Sequence, residues 1–356
     1  MLIGTIAFIF TLGLLVFIHE LGHFLVAKKV GIRVEKFSLG FPPNIFSRTY
    51  GETEYCIGII PLGGFVKMAG ENPDEEAKGA PDEFMSKTVG QRAAVIFAGP
   101  FMNYLLAIVL LIGLFAFGSQ PIFDNNRIMV GKLEKGAPAM KAGMKSGDEI
   151  IAIDGKPVHS FDSLRVLINA KVEKPVVVTW VSGSDTITKQ LTTISQVVPM
   201  PDGTTDTIGL IGFQQQPVGE KRLSFGKALV AGFVTAHVLV YDTFAFVKKL
   251  VTGEVSVKLL GGPVFIAKQS GVEARRGLTF LVNFIALLSV NLAVLNILPI
   301  PVLDGGHLAF LLIEKIKGAP LSLRSRAIAQ QIGIVVLLTL IVLVTYNDIM
   351  RQIRGF

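Results

Sequence analysis

The chain has 356 residues, 51% of them hydrophobic and 17% charged, with a formal net charge of +7 and a mean hydropathy of +0.57. Soluble globular chains carry about a quarter charged residues, so this composition points to a membrane. The positive charges are spread along the chain and flank apolar segments, which argues against a nucleic-acid surface. The single cysteine, Cys56, excludes an internal disulfide and a cysteine-rich zinc finger.

A helix needs roughly 20 apolar residues to cross a bilayer. Leu2–Ala27, Val95–Phe117, Leu278–Leu303 and Ala327–Tyr346 meet that length, so four spans are expected. The first lacks a basic leader and a small-residue cleavage site, and is read as a retained helix. Lys28 and Lys29 at its end place that end toward the cytoplasm. Alternation then puts residues 118–277 outside, 304–326 inside and the C-terminus outside. Lys315, Lys317, Arg324 and Arg326 agree with this orientation; Arg351 and Arg354 do not.

Inside the first span stands "VFIHELGHFLVA", Val16–Ala27. Its H-E-x-x-H pattern sets His19 and His23 about one helical turn apart on one face, where both imidazoles can hold one metal. Zn²⁺ suits neutral imidazoles, and Glu20 is the residue such sites use as general base. Ionisable groups at membrane depth are costly and are rarely idle. The alternative is a hydrogen-bonded polar trio that ties helices together.

Further along, "TEYCIGIIPLGGFVKM", Thr53–Met68, is too short for a span and too apolar for an ordinary loop. A strand over Tyr55–Ile60, a turn at Pro61–Gly64 and a return over Phe65–Met68 make a hairpin that dips into the membrane. Its edge could pair with an unwound peptide, with Tyr55, Ile57, Ile59, Gly63 and Gly64 as candidate substrate-binding residues; the alternative is a hairpin that only packs on the bundle. Glu71–Glu83 reads as a solvated, mobile inner loop. In "GPFMN", Gly99 and Pro100 allow close helix approach, and Asn103 either packs or makes a direct contact.

Residues 125–215 change texture. Ile128–Leu133, Glu149–Ile153 and Val176–Val181 read as short strands, and Ser163–Ala170 as a helix capped by Asp162 or Ser160. "KGAPAMKAGMKSGDEIIAIDGKPV" resembles the core of a PDZ domain, with Gly143, Gly147, Asp148 and Asp154–Gly155 at that family's turns. The resemblance implies binding of an extended peptide or its C-terminus at a sheet edge; a spacer without ligand is the alternative. Residues 223–250 are expected to lie on the membrane or the bundle rather than form a fifth span, with His237 a surface or core histidine. His159, in a PDZ turn, carries no functional signal, and "LGGPVFIAKQSG", Leu260–Gly271, offers no chemical role.

A catalytic zinc needs a third protein ligand and an open position. "NILPIPVLDGGH", Asn296–His307, breaks a helix at Pro299 and Pro301 at membrane depth, which is tolerated only inside protein or beside a wet cavity. Asp304 is the expected third ligand and His307 its rival.

Taken together, HExxH in the first span, "LDG" ending the third and a PDZ insert between the second and third spans resemble the site-2 protease family, closest to bacterial RseP-type regulators. The resemblance covers essentially the whole chain. It implies that His19, His23 and Asp304 bind one zinc, that Glu20 is the catalytic acid/base and that Asn296 contacts the substrate backbone. It also implies a membrane re-entrant β-element over about 50–68, and a place in the bacterial inner membrane with the site toward the cytoplasm. Substrates would be single-span membrane proteins already cut on the outer side, of the anti-sigma factor type, and remnant signal peptides.

The expected fold is an α-helical membrane protein. It has a four-span metalloprotease core, a re-entrant β-hairpin and an inserted periplasmic α+β PDZ domain. Residues 1–120 hold the first two spans, 121–216 the PDZ domain, 217–277 an amphipathic helical region and 278–356 the last two spans. The best-known RseP-type members carry two tandem PDZ domains, and this chain has room for one. The rival classes are a non-catalytic PDZ scaffold or chaperone with structural zinc, and a metal transporter. Glu20 argues against the first, and the absence of paired polar residues or repeats across several spans against the second.

Overall fold

Apolar runs, glycine turns and a proline break divide the chain into elements. The computed structural model describes residues 2–71, 79–118, 120–124, 126–199 and 205–354; most of the expected loop Glu71–Glu83, residues 72–78, lies outside them. In chain order, helix α1 (Leu2–Lys29) is followed by strands β1 (Val34–Tyr50) and β2 (Thr53–Met68), then helix α2 (Val89–Phe117) and strands β3 (Gln120–Ile122) and β4 (Ile128–Leu133). Next come α3 (Pro138–Lys141), β5 (Glu149–Ile153), β6 (Lys156–Pro157), α4 (Phe161–Asn169), β7 (Pro175–Ser182) and β8 (Asp185–Thr192). Strands β9 (Ile194–Pro199), β10 (Thr205–Leu210), β11 (Phe213–Gln215) and β12 (Gly219–Lys221) precede helices α5 (Phe225–Val251) and α6 (Pro263–Arg276). Helices α7 (Leu278–Ile297), α8 (Asp304–Lys317) and α9 (Leu323–Arg354) end the chain.

Two compact units result. One comprises α1, β1, β2, α2 and most of α5 to α9. Among the described residues, five helices are long and apolar enough to cross a membrane: α1, α2, α5, α7 and the stretch Arg324–Arg351 of α9. Four of them are the expected spans; the fifth, α5, covers the stretch expected to lie on the membrane or against the bundle. Ala228, Gly232 and Ala236 recur every fourth residue and form its buried stripe. A β-carbon at Gly232 would stand 2.5 Å from Ile112 Cγ1 of α2, so glycine lets the two helices touch. Ala107, Val290 and Val294 join α2 to α7, with Leu239 and Val240 of α5 packed against them.

Strands β1 and β2 fold into more than a hairpin. Residues 44–50 pair with 53–58, while Phe37 stands opposite both Tyr55 and Val66, and Ser38 opposite both Cys56 and Phe65. The stretch 36–39 therefore lies between 54–57 and 64–67, and 64–68 is an outer strand of the sheet, with the Met68 N–H donating to Glu71. Ala27, Val34, Met68, Val95 and Leu311 form the core where this sheet meets α1, α2 and α8.

The second unit holds a six-stranded sheet of order β11-β4-β5-β7-β8, with β6 on β5. Its alternating strands bury Val130, Ile150, Val178 and Trp180 against Leu164 and Ile168 of α4. Ser160 caps α4 and Ser163 closes a capping box, which starts the helix two residues before the expected Ser163. Asp154 and Gly155 take the left-handed backbone, at φ 50° and 74°, that a two-residue turn between β5 and β6 requires.

Candidate metal centre and its cavity

Helix α1 presents His19 and His23 from one face, with ring planes at 85° and Nε2 atoms 3.2 Å apart. Two glycines let α2 press against that face. A β-carbon at Gly99 would stand 2.3 Å from His23 Nε2 and 2.8 Å from His19 Cε1; one at Gly22 would stand 2.3 Å from the Ala98 carbonyl oxygen. The His23 Nδ1–H donates to the Val95 carbonyl at 2.8 Å, which turns its Nε2 inward.

The third group arrives from the break between α7 and α8. Pro299 and Pro301 cannot continue a helix, and Val302 takes φ 96° in the reversal. Gly305 and Gly306 lie against the Ile297 and Ile300 carbonyls, where β-carbons would stand 2.1 and 2.4 Å from oxygen. Only so small a pair lets α8 start here and return Asp304 to the histidines. Asp304 Oδ2 is 3.1 Å from His19 Nε2, and Oδ1 is 3.6 Å from His23 Nε2.

These residues fit a metal. The two Nε2 atoms are 3.2 Å apart, one Asp304 oxygen lies 3.1 Å from His19 Nε2 and the other 3.6 Å from His23 Nε2, and one ligand atom from each residue can be chosen within 4.8 Å of the other two. Zn–N bonds of about 2.0–2.1 Å in tetrahedral geometry place ligand atoms roughly 3.3 Å apart. Asp304 Oδ2 is buried and makes no hydrogen bond of acceptable geometry, so the carboxylate lacks a proton donor where a cation would satisfy it. Among the described residues, this trio is the group of histidine, cysteine and acidic side chains placed to share an ion. His307 lines the same cavity but is not in the trio.

The cavity measures about 500 Å³. Glu20, next to His19 in sequence, lines it, and the Val66 backbone N–H is turned to its carboxylate. Gly64 of the outer strand lies beside Glu20, where a β-carbon would stand 3.2 Å from Glu20 Cγ. Asn296 enters from the end of α7, its Nδ2 placed 3.5 Å from His19 Nε2. Of the expected substrate-binding residues, Asn296 and Gly64 line the cavity; Tyr55, Ile57, Ile59 and Gly63 do not. Tyr55 and Ile57 sit in the strand beyond 36–39, one strand removed from 64–68, and Phe41 fills the space next to Gly63.

Sequence reasoning missed a charged cluster at one side of this cavity. Arg92 donates to both oxygens of Glu314, at 3.2 and 2.5 Å, and Arg326 stands 3.7 Å from the same carboxylate. Arg92 and Arg326 line the cavity. These residues are 222 positions apart in the case of Arg92 and Glu314, and nothing local in the sequence announces their meeting.

A zinc-type donor set, an adjacent carboxylate and a cavity among membrane helices define a membrane-embedded zinc metalloprotease. A family model described as Peptidase family M50 matches residues 7–340, and the chain belongs to that family, the site-2 proteases. The regulator of sigma-W protease RasP of Bacillus subtilis is 32% identical over 97% of this chain and 98% of its own length. A chain of Clostridium perfringens is 38% identical, over 95% of this chain and 96% of its own. One of Agrobacterium fabrum is 36% identical, over 97% and 95%; both bear zinc metalloprotease in their names. Among solved structures, the PDZ domain of an SdrC-like protein from Listeria monocytogenes covers 27% of this chain at 18% identity, with a TM-score of 0.20.

Proposed function

We propose that this chain cuts single-span membrane proteins within the bilayer, after a first cut outside, using one zinc held by His19, His23 and Asp304. The observation that carries this reading is the convergence of the two Nε2 atoms and the Asp304 carboxylate beside Glu20. Zinc bound there supplies a Lewis acid and a water acidified toward ~7. Glu20 takes the proton of the attacking water and hands one to the leaving amine. Asn296, placed beside His19, holds the backbone of the peptide being cut. A transmembrane helix keeps its backbone groups paired internally and has to unwind to be cut; the outer strand at Gly64, against Glu20, offers replacement partners.

Four crossings fit the connectivity best. Gly271 of α6 meets Gly4 at the start of α1, and Asp348 near the end of α9 accepts from the Gly262 and Phe265 amides at the start of α6. The start of α1, the end of α9, α6 and the start of α7 thus share one face. This reading takes α1, α2, α7 and α9 as the crossings and α5 as a helix laid against α2 and α7. Lys28 and Lys29 make the opposite face cytoplasmic, in a bacterial inner membrane, with the second unit outside. In that unit, a groove of about 50 Å³ between α4 and Leu210–Phe213 lies at the β11 edge. It takes the extended C-terminus of a trimmed substrate. Substrates of the anti-sigma factor type follow from the likeness to a protease named for sigma-W.

Reconstitution tests the reading. Liposomes with the chain and a pre-trimmed single-span protein should show cleavage within the span, and Glu20→Gln should abolish it with zinc still bound. Unchanged turnover in Glu20→Gln would overturn it.

A further inference from the structure

We infer that Asn103 is a positioning residue for His19, its side-chain oxygen accepting the hydrogen of His19 Nδ1. The inference rests on the reading of His19 as a metal ligand. His19 turns Nε2 toward His23 and Asp304 and leaves Nδ1 facing α2. A neutral imidazole that gives its Nε2 lone pair to a cation carries its one proton on Nδ1, and that N–H needs an acceptor. His23 has one in the Val95 carbonyl. For His19 the group in reach is the Asn103 amide, 3.3 Å away.

As placed, the amide nitrogen faces Nδ1, which would set two donors against each other, while Asn103 Oδ1 is buried with no partner. The oxygen and nitrogen of an amide are assigned from surroundings. Turning the amide over brings Oδ1 to the Nδ1–H. Its position is held firmly: Asn103 is fully buried, and Ser289 Oγ of α7 donates to its backbone carbonyl at 2.7 Å. Partners of this kind fix the tautomer and ring orientation of a metal-binding histidine and raise its basicity. The last residue of "GPFMN" thereby gains a direct role, one turn after the Gly99 that admits the histidines.

The test compares the full chain with Asn103→Leu, Asn103→Asp and His19→Ala in detergent. Zinc affinity is read by competition with a chelator, and the melting midpoint of the zinc-free protein serves as a fold control. Asn103→Leu should weaken zinc binding about 10- to 100-fold, with an unchanged zinc-free midpoint. Asn103→Asp, which keeps the acceptor and offers no donor, should hold zinc at least as tightly as the parent. Wild-type affinity in Asn103→Leu, or a loss in Asn103→Asp as large as in Asn103→Leu, overturns the inference. Should Asn103→Leu fail to fold, Asn103→Asp decides alone, a tenfold loss counting against it. If His19→Ala retains zinc, the metal-site reading itself fails and takes the inference with it. If His19→Ala loses zinc while Asn103→Leu keeps it, only the inference falls.

Discussion

Gly99 and His23 approach so closely that a β-carbon on Gly99 would overlap the imidazole, 2.3 Å from Nε2. Neither ring nor helix has room to give, because Nδ1 of the same ring is tied to Val95 one turn earlier on the same helix. Gly99→Ala should therefore displace the ring rather than pack beside it. A shift of about 1 Å at a reacting centre can cost about a hundredfold in rate. We expect turnover to fall by about that factor and zinc to be released at lower chelator concentration. Gly113→Ala, on the same helix with open space around it, is the control and should behave as the parent.

Glu314 pairs with both Arg92 and Arg326, and the side chains of Arg92 and Glu314 are 5% and 11% exposed. Removing one partner of a buried pair leaves an uncompensated charge and costs about 3–5 kcal/mol. Glu314→Gln should lower the unfolding midpoint of the first unit by several degrees in a thermal scan. An unchanged midpoint would mean that water already screens the cluster.

These two predictions mark what the sequence made legible. The histidine pair, Glu20 and Asp304 are visible because each is fixed by local rules: a four-residue helical spacing, and a proline break followed by Asp-Gly. The Asn103 contact joins residues 84 apart, and the Arg92–Glu314 pair residues 222 apart; only the packed bundle brings them together. Strand β1 escaped notice because Pro42, Pro43 and interspersed charges break the alternation that marks a strand. Without it, Tyr55–Ile60 looked like the partner of Phe65–Met68, whereas 36–39 lies between them. Helix α5 meets the length and apolarity of a span in spite of Asp242 and its terminal lysines, and it packs against the bundle, one of the two placements expected of it.

The second unit should respond to pH through Asp154. Its carboxylate is held below the usual range, first by the Lys171 ammonium and then by the Val177 backbone N–H. A folded-state pKa below the unfolded value of about 3.9 gives stability that is present above that value and lost as pH falls from it through the lower folded-state value. Trp180, the single tryptophan, is fully buried in this unit's core and reports on it within the full chain. Its fluorescence should show a melting midpoint that starts to drop near about pH 4 and keeps falling below it. In Asp154→Asn, which keeps the turn, the drop should be smaller.

The same reasoning separates the outer strand at Gly64 from the inner strands. Gly64→Val would drive its side chain into the Ser38 carbonyl, 2.7 Å from a β-carbon, and toward Val16 and Glu20. It should reduce cleavage of a single-span substrate by at least tenfold with zinc content unchanged. Ile57→Ala, one strand removed and outside the cavity, should leave cleavage within about twofold. Equal losses in both variants would show that the sheet acts only as a scaffold.

The central claim is that His19, His23 and Asp304 together hold one zinc. Metal analysis of the purified chain tests it most directly, comparing the parent with Asp304→Ala and His307→Ala. We predict one zinc per chain in the parent and in His307→Ala, and less than a tenth of that in Asp304→Ala after dialysis against a weak chelator. Full zinc in Asp304→Ala, with loss in His307→Ala, would contradict the account.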